Sequence, residues 1–407
     1  MNLPFPLCRE PRHEERIREA LERCVAFLVE RLPPSHLVAV MLTGSFARGE
    51  GSVLPRGGVL RVLGDFEFFV VLPSGHDARA ERRQFAVWGR EAAGRLAAAG
   101  IQAEVEFGPV EVDFFRLRAR PSIFVSDLRR HGKVLWGRKD LLAEIPEFGV
   151  EQIPPDDALS LLFNRTIEQL EAHERLARAS GDALLDIVYQ RLKLTLDLAG
   201  SALAFAGVHT ALYQRRPAAF ARLLAETPSL GQHVPSWFAD ELARSAAAKL
   251  EPAEHVVWPP DGTGVEEQRE LLRGAILSAA PAVAAFLRWE LEQAVGASGE
   301  LPALLDAYTR TPPLRRRLRE WARVVLHPMP APLPITHGMI ASLVWRSTPR
   351  ALLYAAGARA YLELAELVTN GDDFMRLLPV ARAARPRHAA ARRAAVVALW
   401  KWCIRNN

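Results

Sequence analysis

Cysteine is scarce in this 407-residue chain, present only as Cys8, Cys24 and Cys403. An odd number of widely spaced thiols without a Cys-x-x-Cys pair supports neither a disulfide framework nor a thiolate zinc site. His-Glu-x-x-His is missing, as are the Walker A and Gly-x-Gly-x-x-Gly patterns, which argues against zinc peptidases, P-loop enzymes and Rossmann dehydrogenases. Long apolar runs are missing too. The nearest, Leu194 to Val208, is short for a membrane span and carries Asp197, so it reads as a buried helix. The segment Met1 to Glu10 lacks the apolar centre of a signal peptide, so a cytosolic location and no membrane partner are expected. Lysine occurs only at Lys133, Lys139, Lys193, Lys249 and Lys401, and the net charge of +5 rests on arginines mixed with acids. No block of one sign marks a nucleic-acid tail.

What is present is an anion-binding turn followed by paired acids. Gly44-Ser45 closes an apolar run, Leu37 to Thr43, whose composition suits a buried strand. Gly44 lets the backbone approach an anion with no Cβ in the way, and Ser45 offers a hydroxyl and an amide to a phosphate oxygen. In Gly64 to Val71, Asp65 and Glu67 alternate with Phe66 and Phe68, so in a strand both carboxylates leave one face while both rings enter the core. Like charges held that close repel each other unless a hard cation bridges them, and Mg²⁺ favours carboxylate oxygens together with substrate phosphates. Further acids follow on strand-like segments. Val110 to Phe115 offers Asp113 and Ile101 to Phe107 offers Glu106, with Asp113 favoured of the two.

These residues resemble the signature of the DNA polymerase beta-like nucleotidyltransferase superfamily: an apolar strand, Gly-Ser, an acid-x-acid strand and a third acid on a neighbouring strand. The likeness covers roughly residues 37 to 137, about a quarter of the chain. It implies an α/β domain with a mixed sheet, in which Asp65, Glu67 and Asp113 hold two divalent ions, Mg²⁺ with Mn²⁺ as a substitute. Those ions would align a hydroxyl with the α-phosphate of a nucleoside triphosphate, and Asp113 would orient or deprotonate that hydroxyl. Gly44, Ser45 and Arg48 would bind the triphosphate, although an exposed loop arginine is the more ordinary reading of Arg48. Two departures stand out. Glu67 replaces the commoner aspartate, and the extra segment Gly51 to Leu63 reads as an inserted hairpin turning at Pro55 to Gly58.

Beyond Gly137 the pattern changes. Pro154-Pro155-Asp156-Asp157 marks the passage to helical periodicity, which predicts a catalytic domain over 1–150, a helical domain over 151–326 and a C-terminal helical region over 327–407. His327 to Pro334 reads as a stiff proline-rich connector. Lys193, four residues from Tyr189 on one helix face, resembles the lysine that nucleotidyltransferases with an added helical domain use to reach the triphosphate. Pairing with Asp197 one turn on is an equal alternative. Asn164 and Arg165 are weaker candidates for the same cleft. The arginines of 315–319 and 385–393 read chiefly as exposed helix faces, and Trp400 and Trp402 as an aromatic anchor for the last helix.

Together these features predict a metal-dependent nucleotidyltransferase that moves a nucleoside monophosphate from a triphosphate to a hydroxyl of a small molecule, sugar or protein and releases pyrophosphate. The acceptor is expected between the two domains. The plan is similar to that of kanamycin-type aminoglycoside nucleotidyltransferases, a likeness of fold that names no substrate. A catalytically weakened nucleotide sensor or scaffold is the alternative of a different class. An RNA-directed transferase ranks below both, because no recognisable RNA-binding module accompanies the arginines.

Overall fold

The computed structural model describes residues 5, 11–255, 263–326, 337–368, 374–378, 385–386 and 388–405. Cys8, Arg387 and the connector His327 to Pro334 lie outside them. The chain forms two compact units, the first made of Met1–Asp157, Leu203–Phe220 and Leu242–Trp258, the second of Ala158–Ala202, Ala221–Glu241 and Pro259–Asn407. The expected boundary at 150 therefore falls inside the first unit, and 327–407 belongs to the same unit as 158–202.

In the first unit, five strands form one mixed sheet: β1 (Ala39–Leu42), β2 (Ser52–Arg56), β3 (Val59–Leu72), β4 (Ile101–Glu111) and β5 (Lys133–Gly137). The long β3 is its spine. β2 pairs antiparallel with the first part of β3 and β1 with the last part, while β4 runs parallel to it and β5 pairs antiparallel with β1. Helix α1 (Pro11–Arg31) precedes the sheet and the one-turn α2 (Gly44–Ala47) follows β1. A parallel neighbour needs a crossover, supplied by α3 (Ala78–Ala98), whose first amides donate to the Asp77 carboxylate. Helix α4 (Ile123–His131) lies between β4 and β5 in sequence. The hairpin expected over Gly51 to Leu63 is formed by β2 and β3, and Gly57 and Gly58 at its tip have φ of 56° and 81°, as a two-residue hairpin turn demands.

Alternation along the strands gives each face of the sheet its own core. Val40, Leu42, Phe66, Phe68 and Val70 pack with Ile17, Leu21 and Phe27 of α1 and Phe85 of α3. On the other face Ala39, Met41 and Val71 pack with Phe115 and with Val125 and Leu128 of α4. Cys24 is buried in the first core, and burial pushes its thiol up to about 12, which leaves it an inert apolar filler.

The remaining helices are α5 (Pro155–Leu176), α6 (Asp182–Phe205), α7 (Arg216–Glu226), α8 (Pro228–Gly231), α9 (Phe238–Leu250), α10 (Pro252–His255), α11 (Val265–Ser278), α12 (Ala280–Val295), α13 (Leu301–Tyr308), α14 (Leu314–Leu326), α15 (His337–Leu343), α16 (Pro349–Leu364) and α17 (Ala389–Arg405). Within the second unit Asn164 Oδ1 accepts from Tyr354 Oη at 3.0 Å and from Trp400 Nε1 at 2.9 Å, joining α5 to α16 and α17. Arg165 Nε donates to Asp197 at 2.6 Å and its Nη1 to Glu168 at 2.5 and 2.6 Å. These two residues, read from the sequence as cleft candidates, are internal ties of the helical unit. Near the start of α5, Ser201 Oγ donates to Ala158 O at 2.8 Å and also lies 2.7 Å from Glu290 Oε1. The hydroxyl has one proton to give, so with that proton on Ala158 O the carboxyl supplies the second. Burial pushes Glu290 up to about 8 against the lowering effect of Ser201, so the acid is neutral at pH 7. Among the described residues the stretch long and apolar enough to resemble a membrane span is Val265–Val295, half of it buried, in place of Leu194 to Val208.

Candidate active site

The turn after β1 meets Glu67 of β3. The Thr43 amide donates to Glu67 O at 2.8 Å, extending the β1 ladder by one residue, and Thr43 Oγ1 lies 3.3 Å from Glu67 Oε2. Gly44, the next residue, has φ of 67° and opens α2. A Cβ there would stand 2.6 Å from Glu67 Oε2 and 2.8 Å from Glu67 Cδ. Gly44 is thus favoured by its backbone conformation, and a Cβ there would displace the end of the Glu67 side chain. Asp65 and Glu67 leave the strand on the face opposite the fully buried Phe66 and Phe68.

The third acid is the main correction. In the parallel ladder Asp65 pairs with Glu104 and Glu67 with Glu106, so four carboxylates share one face of two adjacent strands. Asp113 lies elsewhere. The ladder continues for five more pairs to Leu72 and Glu111, roughly 17 Å at about 3.3 Å per residue, before Asp113 caps the short helical turn Phe114–Arg118. The Glu106 side chain is exposed at its edge, yet desolvation, and then the charges of Asp65 and Glu104, hold its carboxyl above the usual range while Arg82 pulls it down.

Behind the turn lies a buried polar network in which Arg48 is a member and not an exposed loop residue. Its Nη1 donates to Asp127 Oδ2 at 3.3 Å, and its guanidinium sits 5.2 Å from the Tyr213 ring centre. Tyr213, Asp127, Glu50 and Glu67 outweigh burial and hold Arg48 above its ordinary value, so it stays charged. Asp127 also meets His209 Nε2 at 2.9 Å and, despite burial, is held below the carboxylate range by His209, Arg48 and Arg216. The buried Glu50 carboxylate accepts the amides of Tyr213 at 2.9 Å and Gln214 at 3.1 Å. Lys249 Nζ donates to Glu50 O at 2.9 Å and Ser52 Oγ at 2.8 Å, and Ser52 Oγ donates to Lys249 O at 2.5 Å. Arg48, Arg216 and Lys249 all face the Tyr213 ring, at 5.2, 4.4 and 5.1 Å from its centre. Sequence reading missed Asp127, His209, Tyr213, Arg216 and Lys249 because they stand 79 to 199 residues from their partners in the loop or in α4. Lysine scarcity was the one usable signal, and it singled out Lys193.

Lys193 lies on α6 in the second unit, 5.9 Å from the Tyr189 ring centre, and Asp197 is bonded to Arg165. Among the described residues no three His, Cys, Asp or Glu side chains converge to hold a metal ion by themselves. Mg²⁺ is ordinarily bound through one or two carboxylates with water and substrate phosphates completing its shell, and Asp65 and Glu67 are hard-oxygen donors suited to that arrangement. Comparison with protein-family models, curated proteins and solved structures finds no match for this chain.

Proposed function

We propose that the protein is a metal-dependent nucleotidyltransferase that transfers a nucleoside monophosphate from a nucleoside triphosphate to a hydroxyl acceptor. The observation that carries this reading is the fit of the Glu67 carboxylate against Gly44, with Asp65 and Glu106 on the same strand face. Asp65 and Glu67 are the residues assigned to a Mg²⁺ ion, which when bound would neutralise triphosphate charge and stabilise the leaving group. Gly44 and Ser45 are assigned to the phosphates, since the first amides of a helix have no acceptor within it. Arg48 is assigned to holding the loop, because Asp127 and Tyr213 already engage it. Glu106 takes the place given to Asp113. As the acceptor oxygen bonds to the α-phosphorus, its proton passes to Glu106, the α–β bridging P–O bond breaks, and the bonding pair leaves on pyrophosphate.

The weakened sensor remains a second reading, favoured by the contact of Glu67 Oε2 with Thr43. Calorimetry with ATP, GTP, CTP and UTP, with and without Mg²⁺, separates the two when followed by an assay for pyrophosphate. The transferase reading expects metal-dependent binding of a nucleotide that is lost in an Asp65→Asn, Glu67→Gln variant. Binding indifferent to both metal and acids would support the sensor.

A further inference from the structure

The arginine cluster on α14 lies outside this chemistry, and its helix has an unusual outer face. The inner side is ordinary, with Trp321 and Val324 packed against Val344 and Leu352. Along the edge of that side Leu314, Leu318 and Val325 are 43, 51 and 48% exposed, and Leu326 farther round is 73% exposed. Leu314, Leu318 and Val325 follow at helical spacing in the same row as the buried Trp321, and make a half-exposed aliphatic rim about 16 Å long at 1.5 Å per residue along the edge of the core-facing side. Beside it Arg315 and Arg319 are exposed one turn apart. Arg317 ties a second segment to the helix, donating to Pro312 O at 2.6 Å, Arg310 O at 2.7 Å and Trp345 O at 2.5 Å. This gathers Arg310, Arg346 and the 68% exposed Trp345 around the start of α14.

Among the described residues the exposed arginines of the patch, Arg310, Arg315, Arg319 and Arg346, are not paired with acids. Glu320, the only acid in 310–326, is buried and accepts from Arg316 at 2.9 Å, and 337–350 contains no acid. An outward face with aliphatic and cationic stripes side by side suits a partner that accepts apolar side chains and carries negative charge in the same plane. Trp345 is the single exposed ring of the patch and the row on α14 is aliphatic, so successive bases find little to stack on, which favours a lipid surface over single-stranded nucleic acid. We propose that the outer face of α14, with Trp345 and Arg346, is a docking site for an anionic phospholipid surface. The expectation of no membrane partner rested on missing spans, and an interfacial helix needs none.

Flotation of the full chain with phosphatidylcholine vesicles, with and without added phosphatidylglycerol, tests this. Binding is expected only to the anionic vesicles and is expected to fall with added salt. Partitioning should weaken about thirtyfold in an Arg315→Gln, Arg319→Gln variant, since one arginine near an anionic surface is worth about fivefold. A Leu314→Ser, Leu318→Ser variant should also lose binding, with a small drop in melting temperature because both side chains are about half buried. An Arg310→Gln, Arg346→Gln variant, which leaves α14 intact, gives the same readout if the α14 variants prove unstable. No flotation with anionic vesicles, equal flotation of parent and arginine variants, or binding of a single-stranded oligonucleotide in place of vesicles would overturn the proposal.

Discussion

Gly44 concentrates the residue-scale argument. An alanine there meets the left-handed backbone penalty, about 1–2 kcal/mol, and its Cβ pushes the end of the Glu67 side chain out of place. Gly44→Ala is therefore expected to lower stability by at least that amount in urea denaturation and to abolish any metal-dependent nucleotide affinity. Gly44 and Glu67 were legible in the sequence because glycine after an apolar strand and acids in strand alternation have few physical readings. Asp113 was misread for a related reason. Val110 to Phe115 has strand alternation, but register decides which acid faces Glu67, and register depends on where α3 returns the chain. Lys249 was illegible altogether. Nothing local distinguishes a lysine that donates to Glu50 O and Ser52 Oγ from one that reaches into solvent.

At the scale of elements, alternation gave reliable direction where one face is apolar, as with Phe66 and Phe68 on β3, and periodicity gave poor direction where a polar group is buried. Glu290 on α12 is such a case. Its folded carboxyl titrates near 8 against an ordinary value of 4.5, so between those values the native state holds a proton that the unfolded chain has released. Stability should then fall as pH rises through that window, by up to about 1.4 kcal/mol per unit. A Glu290→Gln variant keeps a donor for Ser201 and removes the titration. Its urea midpoint is expected to vary less between pH 5 and pH 8 than that of the parent, and to exceed it at pH 8. The ties of Asn164 and Arg165 follow the same logic: their partners sit on other turns or helices, so the sequence showed polar residues without showing what satisfied them.

At the scale of the molecule, the sequence located the change from strands to helices but implied contiguous domains. The first unit instead recruits Leu203–Phe220 and Leu242–Trp258, because the Gly44 to Ser52 loop buries Arg48 and Glu50, whose partners lie on those segments and on α4. A fragment ending at Asp157 keeps the whole sheet yet leaves Glu50 without its amide donors and Asp127 without His209. The fragment loses those bonds and the burial of Phe220 and Leu242 with them, so it is expected to melt without a cooperative transition in calorimetry, and the full chain with one. The bond between Ser52 and Lys249 also orders events during synthesis. Its partners are 197 residues apart, which at about 5–20 residues per second separates their emergence from the ribosome by roughly 10–40 s. Throughout that interval the nascent sheet carries its acids beside an unfinished loop, a period in which a chaperone could shield it.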